Sequence, residues 1–410
     1  MVTGRLPLGL VWSVLPSSLL AFELNANFLV APEYHGANRG SDYYVGLPLV
    51  PANTPSSRQD IEFKLREGGF YAQTTLRRVS TEGSHSENHG IANQVYYDGD
   101  FGDGNSWTIG KKVLSWGVGF AFRPLDLIQR EDRRAVNPAA LEGIPLVALE
   151  RFSSDQALTL AWVNPGNGHE RADRKDEALA LRWYRFSGSN DFYAVARTSN
   201  ERRFEVGFGA THVIDDEWSL YGAVLHEQRY TKVVNSLAYI EGALFSSQSP
   251  RTPLYMHSAN RAVVGAQWTG SSGWSTLIEA YYDGEAYSRS DWRRLNALTR
   301  HQIASASFVP KQSLDANVAW SSQAYLNPSL LRENLLLRLS YDHADGVKPF
   351  GEVLLTPRDG GSVMTIGASY ERDRNHFSGG WRYLGGRKDS AYAQAPERNI
   401  FWFQWRVAIF

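Results

Sequence analysis

The stretch NIFWFQWRVAIF (399–410) is apolar at every second position from Phe401 onward, and its polar residues Gln404 and Arg406 fall between those positions. The apolar odd-numbered positions are Phe401, Phe403, Trp405, Val407 and Ile409. Successive side chains of a β-strand point to opposite faces, so this pattern predicts a strand with one continuous apolar face. Phe410 falls on the other face, with Gln404 and Arg406, unless a bulge near the end of the strand shifts it.

The same alternation recurs along the chain from about residue 22, for example in residues 60–66, 261–268, 274–283 and 334–342. Many of these runs approach the roughly 9–11 residues that a tilted strand needs to cross a bilayer. Strands of soluble β-sandwiches, the alternative that we considered, are usually about five or six residues long. Length therefore favours membrane-spanning strands.

The connections between these runs alternate between short and long. Short polar turns fall at residues 67–69, 153–155, 187–190, 215–216, 269–273, 342–348 and 373–375. Longer segments fall at residues 36–58, 81–89, 117–145, 164–175, 233–257, 288–331 and 385–397. Outer-membrane barrels have this asymmetry between their two ends. We predict an all-β, transmembrane, antiparallel up-and-down barrel of about 18 strands, formed by residues 22–410 as one domain. An extra hairpin within residues 288–331 would give about 20 strands, and merging the shortest strands would give about 16.

The N-terminal segment has one cation, Arg5, followed by the apolar residues 6–22. This arrangement predicts a secretory signal peptide over residues 1–21, although a buried N-terminal strand is the alternative.

The overall composition excludes several classes of protein. Lys and Arg number 42 against 43 Asp and Glu, and this balance argues against a nucleic-acid partner. The chain has no cysteine, which excludes disulfides and thiolate chemistry. Its mean hydropathy of -0.36 is too polar for a helical membrane protein, whereas 13% aromatic residues and 36 glycines suit a β-protein with many turns.

Two features resemble known outer-membrane proteins. The aromatic-ended strand 399–410 is similar to the assembly signal of Gram-negative outer-membrane barrels. The run KVLSWGVGFAFRPLD (112–126), with parts of residues 333–340, 355–360 and 385–395, resembles a poorly characterised family of such barrels. The resemblance covers about a quarter of the chain and implies the outer membrane of a Gram-negative bacterium, contact with its lipid and with the barrel-assembly machinery, and a role in envelope transport. It also implies a lipid-like or apolar cargo and periplasmic or inner-membrane transport partners, and it supplies no catalytic residue.

In a barrel of this kind the polar face of each strand lines the lumen and the apolar face meets lipid. The residues predicted to face the lumen are Glu62, Lys64, Arg66, Arg182, Glu279, Asp283, Arg338 and Asp342. The residues predicted to form aromatic belts at the membrane interfaces are Trp183, Trp218, Trp268, Trp274, Tyr341 and Trp405. The lumen residues carry both signs of charge and predict no strong ion preference.

The loop over residues 117–145 combines clustered charges with apolar residues such as Phe120, Phe122 and Leu127. A solvated surface loop would explain the charges alone, but the apolar residues favour an inward fold that narrows the lumen. The residues predicted to set selectivity there are Arg123, Asp126, Arg130, Asp132, Arg133 and Arg134. Within residues 288–331, Ser290 or Asp291 is predicted to cap a short helix that places Trp292, Leu295 and Leu298 on one side.

Signals for catalysis or metal binding are weak. His85 and His89, near Glu82 and Glu87, lack a third ligand fixed by the sequence, and Asp98, Asp100 and Asp103 fit a turn better than a calcium loop. No nucleotide-binding or nucleophile-elbow motif is present, and we predict no enzyme activity, cofactor or metal. Our leading hypothesis is a channel or transporter for a small or apolar solute. A closed outer-membrane component of a lipid or polymer export assembly is the first alternative, and an outer-membrane hydrolase is the second.

Overall fold

The computed structural model describes residues 22–44, 55–83, 86–131, 134–167, 176–342 and 346–410. Within these ranges 18 strands form one sheet. They are β1 (Glu23–Ala37), β2 (Pro55–Glu67), β3 (Phe70–Thr81), β4 (Glu87–Gly102), β5 (Asn105–Lys112), β6 (Ile144–Phe152), β7 (Gln156–Val163), β8 (Ala178–Ser187), β9 (Asn190–Ser199), β10 (Arg203–Val213), β11 (Trp218–Glu227), β14 (Ala259–Thr269), β15 (Trp274–Asp283), β16 (Glu333–Tyr341), β17 (Lys348–Thr356), β18 (Gly361–Arg372), β19 (Asn375–Gly386) and β20 (Glu397–Ala408). The two other strands are β12 (Tyr230–Asn235) and β13 (Arg251–Met256), which pair only with each other.

The sheet closes into a barrel because β1 pairs antiparallel with both β2 and β20. Phe28, for example, lies opposite Ile61 on one side and Val407 on the other. All other neighbours along the sheet are also antiparallel and consecutive, apart from the step from β11 to β14 that passes over the separate hairpin. The predicted up-and-down barrel of about 18 strands is confirmed, and the alternative counts of 16 and 20 are wrong. The predicted signal segment, residues 1–21, lies outside the described residues.

The two ends of the barrel differ as the sequence predicted. Tight turns such as residues 68–69, 103–104, 188–189 and 373–374 gather at one end, which we call the short-turn end. At the β2–β3 turn Gly68 has φ of 56°, a left-handed conformation that favours glycine. The other end, the long-loop end, carries the connections β1–β2, β5–β6, β7–β8, β11–β14, β15–β16 and β19–β20, together with three brief ones. One of the brief connections, β3–β4, was predicted to be long over residues 81–89; that prediction is wrong because β3 continues to Thr81 and β4 begins at Glu87.

Each strand separates its side chains between the two faces of the wall. In β15, Leu277, Glu279, Tyr281 and Asp283 are buried, whereas Trp274, Ile278 and Tyr282 are exposed large apolar side chains on the other face. The buried set contacts other parts of the chain inside the barrel, so the exposed apolar set forms the outer wall. This division follows the period-two pattern of the sequence.

Two helices, α1 (Arg289–Ala304) and α2 (Lys311–Ser322), occupy the β15–β16 connection, where the sequence analysis considered an extra hairpin. Single turns of 3-10 helix lie at Pro165–Asn167, Ser236–Tyr239, Ala306–Phe308 and Gln323–Leu326. The predicted α1 helix is confirmed, with Trp292, Leu295 and Leu298 buried, but its N-cap is Ser288 rather than Ser290 or Asp291. Asp291 instead completes a capping box by accepting from the Ser288 backbone. Among the described residues no helix is long and apolar enough to cross a membrane.

The C-terminal strand reaches the seam of the barrel. The Ala26 N–H donates to the Phe410 carbonyl at 3.1 Å, and the Ile409 N–H donates to the Ala26 carbonyl at 2.8 Å. Pairing between β19 and β20 runs without a shift from Asn375 opposite Val407 to Tyr383 opposite Asn399. No bulge in that ladder therefore returns Phe410 to the apolar face.

Candidate functional site: the barrel interior

The β5–β6 loop (residues 113–143) lies inside the barrel. Leu125, Leu127 and Ile128 are fully or almost fully buried in one cluster with inward-facing side chains of strands between β6 and β20. Those strand residues include Val195, Leu225, Val263, Leu354 and Ile400. Gly207 of β10 makes room for Leu125, because a Cβ there would come within 2.6 Å of the Leu125 Cδ2. The apolar residues that favoured an inward fold are the ones that pack against the wall.

Glu279 of β15 fastens the tip of this loop. Its carboxylate accepts from the backbone N–H groups of Phe120 at 2.5 Å and Ala121 at 2.8 Å. It also accepts from the Tyr221 hydroxyl at 2.6 Å. The side chain is fully buried, so three donors compensate for the burial of one charge. Next to this contact the rings of Phe122 and Tyr281 stack with centroids 4.3 Å apart.

Asp126 holds the base of the same loop. Its Oδ1 accepts from the backbone N–H groups of Trp116 at 2.7 Å and Gly117 at 2.5 Å, and the Ser115 hydroxyl donates to both oxygens. The carboxyl is almost completely buried, and this burial raises its pKa despite the hydrogen bonds it accepts. Asp126 therefore stabilises the conformation of the loop by binding residues 115–117.

A cluster of ion pairs joins the β5–β6 loop to the start of the β15–β16 connection. Arg130 donates to Glu285 at 2.5 Å and lies 3.7 Å from Glu227. Arg202 pairs with both carboxylates at 2.6 and 3.1 Å, and Arg261 pairs with Glu227. Burial alone would raise the pKa of Glu285, but Arg130 and Arg202 hold it well below its usual range. We call these five residues the arginine–glutamate cluster.

The far end of the loop reaches the other side of the barrel. Arg382 of β19 donates to the Arg134 carbonyl at 2.7 Å, and Arg134 donates to the Pro328 carbonyl at 2.6 Å. The Asn137 side chain donates to Glu33 of β1 at 2.8 Å. Arg58 of β2 donates to the Asn137 carbonyl at 2.9 Å. With the Glu279 contact on β15, the loop spans the interior from wall to wall.

A cavity of about 610 Å³ is lined by this loop, by the wall formed by β17 to β20, by the ends of β14 and β15, and by residues 322–330 of the β15–β16 connection. On the loop side it is lined by Phe122, Arg123, Arg130 and Arg134. The facing wall contributes apolar and charged residues, namely Glu352, Leu354, Val363, Arg382, Leu384, Glu397 and Ile400. The cavity thus has both an apolar surface and groups of each charge.

The helices and the β12–β13 hairpin cover the long-loop end. Lys232 of the hairpin donates to Asp291 of α1 at 2.6 Å, and Tyr239 donates to the same carboxylate at 2.7 Å. The Trp292 indole donates to the Leu330 carbonyl at 2.6 Å, and Tyr43 donates to Asn296 at 2.7 Å. Burial would raise the pKa of Asp291, but hydrogen bonds from Lys232, Tyr239 and Ser288 hold it far below its ordinary value.

The predicted selectivity residues come together only in part. Arg123, Asp126, Arg130 and Arg134 all line the cavity, whereas Asp132 and Arg133 lie outside the described residues. The cavity also contains groups that the sequence analysis missed, such as Arg382 and Glu397. Alternation along β19 marks Arg382 as inward-facing, whereas Glu397 shares the parity of the outward residues Phe401 and Phe403 and faces the cavity because the register of β20 against β1 shifts next to it. Nothing in the sequence placed those strands opposite the loop.

The residues predicted to face the lumen follow the inner parity of their strands. Glu62 pairs with Lys64 at 2.9 Å, Arg338 with Glu352 at 3.3 Å, and Asp342 with Lys348 at 2.9 Å. The Arg182 guanidinium lies 5.6 Å from the Tyr184 ring centre, and the Asp283 carboxylate accepts from Tyr281 and from the Glu285 backbone. Arg66 lies near the short-turn end of β2, opposite Tyr71. Glu279 differs from the rest because the β5–β6 loop covers it.

The predicted belt aromatics lie on the outer face near short turns. Trp218 and Trp268 have ring centres 6.5 Å apart, and those of Trp274 and Tyr341 are 5.0 Å apart. The other two, Trp183 and Trp405, donate indole hydrogen bonds to Gln156 at 3.3 Å and Asn375 at 2.9 Å.

No catalytic or metal constellation emerges among the described residues. No group of three or more His, Asp or Glu side chains there could hold a metal ion, and no Ser hydroxyl contacts a His ring. His89 contacts Glu87 at 3.3 Å, while His85 lies outside the described ranges. Asp103 sits in the β4–β5 turn, as expected, and Asp98 pairs with Lys112.

Comparison with solved structures agrees with this architecture. OccK5 of Pseudomonas aeruginosa aligns over 95% of this chain and 98% of its own, with 9% identity and a TM-score of 0.55. OccK11 of the same organism aligns over 95% of this chain and 96% of its own, with 8% identity and a TM-score of 0.51. A mutant porin of Rhodopseudomonas blastica aligns over 95% of this chain and 100% of its own, with 14% identity and a TM-score of 0.42.

The chain therefore has the fold of porin-like outer-membrane β-barrels. No protein-family model matches its sequence, and no curated protein matches it either. At identities of 8–9% the two OccK structures establish this fold alone.

Proposed function

We propose that the protein is an outer-membrane channel of a Gram-negative bacterium that passes a small or apolar solute through a lumen narrowed by the β5–β6 loop. The observation that carries this proposal is the cavity of about 610 Å³ lined by that loop, the wall of β17 to β20 and residues 322–330. Its size falls within the roughly 300–1,000 Å³ that is usual for small-molecule sites. A barrel of about 18 strands otherwise encloses a wide aqueous lumen.

The outer wall supports a membrane location. Large apolar side chains such as Leu181, Val264, Leu337 and Phe403 are exposed there, which is costly in water and favourable in lipid. The outer aromatics at the short-turn end would lie at the membrane interface. Outer-membrane lipid and the barrel-assembly machinery are the partners that this location implies.

Selectivity would arise where the loop narrows the lumen. Arg123, Arg130 and Arg134 line the cavity together with Phe122, and Arg382 faces them from β19. Charges fixed at a constriction decide which ions pass, because solute and side chain come close without much intervening water. The apolar wall of Leu354, Leu384 and Ile400 offers contact to the uncharged part of a solute.

One observation favours the alternative of a normally closed export component. The long-loop end is covered by α1, α2 and the β12–β13 hairpin: Asp291 of α1 accepts from Lys232 and Tyr239 of the hairpin segment, and Asn235 of β12 donates to Ser321 of α2. Such a component would work with periplasmic and inner-membrane partners. Recovery of the barrel in a complex with envelope proteins from mild detergent would support this alternative, and isolation only as free barrels would weaken it.

Swelling of proteoliposomes tests the channel directly. Vesicles containing the purified barrel are transferred into isotonic solutions of neutral solutes of increasing size, and vesicles with heat-denatured protein serve as the control. We expect swelling with small solutes and a sharp decrease as solute size increases. Verified insertion without any swelling would count against the channel and in favour of the closed component.

A further inference from the structure

The outer wall of β1 to β4 carries a groove of about 450 Å³. Its floor is apolar: Phe28, Ile61 and Leu76 lie side by side on the outer face, and Leu76 is 55% exposed. Gly90 continues the same row on β4, opposite Leu76. A Cβ at Gly90 would meet no atom within 4 Å, so the missing side chain leaves the groove open.

A polar row borders this floor on the side of the long-loop end. Gln59, Arg78 and Asn88 lie directly opposite one another on β2, β3 and β4, and all three line the groove. Arg78 is exposed, and its guanidinium donates to the Ser86 hydroxyl at 3.4 Å. No carboxylate of the described residues lies within ion-pair distance of Arg78. Its neighbour Arg77, on the inner face, pairs with Asp60 at 2.8 Å.

We propose that this groove is a binding site for a lipid with an anionic headgroup. One acyl chain would lie along Phe28, Ile61 and Leu76 and fill the space over Gly90. The phosphate would contact Arg78, with Gln59 and Asn88 as further hydrogen-bond donors. The guanidinium of an arginine that borders an apolar surface near a membrane boundary is only partly hydrated. Its electrostatic attraction to an anionic headgroup at that boundary is therefore stronger than that of a fully hydrated arginine. The inference rests on the proposed membrane location.

Lipid binding is measured by native mass spectrometry of the whole barrel. The micelles contain equal amounts of phosphatidylglycerol and phosphatidylcholine with identical acyl chains, so that only the headgroup charge differs. We expect one tightly held phosphatidylglycerol, bound about fivefold more strongly than phosphatidylcholine. That factor corresponds to the roughly 1 kcal/mol that one cation contributes at an anionic membrane surface.

Two pairs of variants separate this site from general lipid contact. Arg78→Gln should abolish the fivefold preference, and Gly90→Leu should weaken binding of both lipids by filling the groove. The matched controls are Arg185→Gln, an outer-face arginine near the short-turn end, and Gly351→Leu, an outer-face glycine of β17 that also has open space around it. Both controls should bind lipid as the wild type does.

An unchanged preference in Arg78→Gln, or equal losses in the two arginine variants, would overturn the proposal. So would a second copy of the chain bound in place of lipid, or displacement of the lipid by millimolar inorganic phosphate. Insertion into phosphatidylcholine vesicles, followed by circular dichroism, is checked for every variant. Failure of the wild type to insert would contradict the proposed membrane function, whereas insertion without lipid preference would contradict only this site.

Discussion

Replacing Glu279 by alanine should release the tip of the β5–β6 loop without unfolding the barrel. The Glu279 carboxylate is the common acceptor for the Phe120 and Ala121 N–H groups and the Tyr221 hydroxyl, and all of these contacts are 2.8 Å or shorter. Alanine removes the acceptor and leaves the donors inside the barrel. The strand pairing of β15 with β14 and β16 involves only the backbone and should persist.

The size of the effect follows from the burial of this contact. Each hydrogen bond to a charged group contributes about 1.5–3 kcal/mol, so losing the two that the Phe120 and Ala121 N–H groups donate should cost about 3–5 kcal/mol after the loop relaxes. Since about 1.4 kcal/mol is a factor of ten, the equilibrium for local opening should shift by roughly a hundredfold to a few thousandfold. Tyr221→Phe removes only one hydrogen bond to the charge, which is worth about 1.5–3 kcal/mol, and should give an intermediate shift.

Hydrogen exchange measures this opening at the amides concerned. The Phe120 and Ala121 N–H groups exchange only when the contact with Glu279 is broken, so their exchange rates in detergent-solubilised barrels should increase by the factor above. Glu150→Ala is the matched control, because Glu150 of β6 accepts from Thr159 within the wall. If exchange in residues 117–125 of the Glu279→Ala variant equalled that of the control, the assigned anchoring role of Glu279 would be refuted.

Three further predictions concern the rest of the interior and its cover. Arg130→Gln and Glu285→Gln should each accelerate exchange of residues 126–131, and the double variant should show an interaction energy of about 1–3 kcal/mol; additive effects would contradict the pairing seen at 2.5 Å. Arg134→Glu should shift the reversal potential in a salt gradient towards cation preference, while Arg185→Glu on the outer face should leave it unchanged. The lowered pKa of Asp291 means that its stabilising effect is fully present above the unfolded pKa of about 3.9 and is lost only as the pH falls further. The free energy of local opening of α1, obtained from exchange rates corrected for the intrinsic rate at each pH, should therefore stay constant from about pH 7 to 5 and decrease below about pH 4, whereas in Asp291→Asn it should already be lowered at pH 7.

Most of the barrel could be predicted from the sequence because the alternation that defines each strand is visible within that strand's own residues. The alternation in residues 274–283 and 334–342 assigns each side chain to a face, and the structure places Ile278 and Leu337 outside and Glu279 and Arg338 inside. The count of 18 strands followed from the rhythm of turns and loops. Helix α1 was visible through its cap and the spacing of Trp292, Leu295 and Leu298.

The arrangement of the interior could not be predicted in the same way because it depends on long-range contacts. Glu279 looked like an ordinary lumen-facing charge, and its partners Phe120 and Ala121 precede it by 159 and 158 residues. The arginine–glutamate cluster joins five separate parts of the chain, including three connections whose conformations the sequence does not determine. The extra hairpin was considered within residues 288–331, whereas the structure forms one at residues 230–256, where Pro253 and a long polar segment obscure the strand pattern.

Single-channel recording in planar lipid bilayers tests the central claim most directly. With the purified barrel inserted, we predict discrete current steps that are small for 18 strands, together with larger or more frequent open levels in the Glu279→Ala variant than in Glu150→Ala. Bilayers with verified insertion that carry no current, in the wild type and in Glu279→Ala alike, would contradict a channel narrowed by the β5–β6 loop.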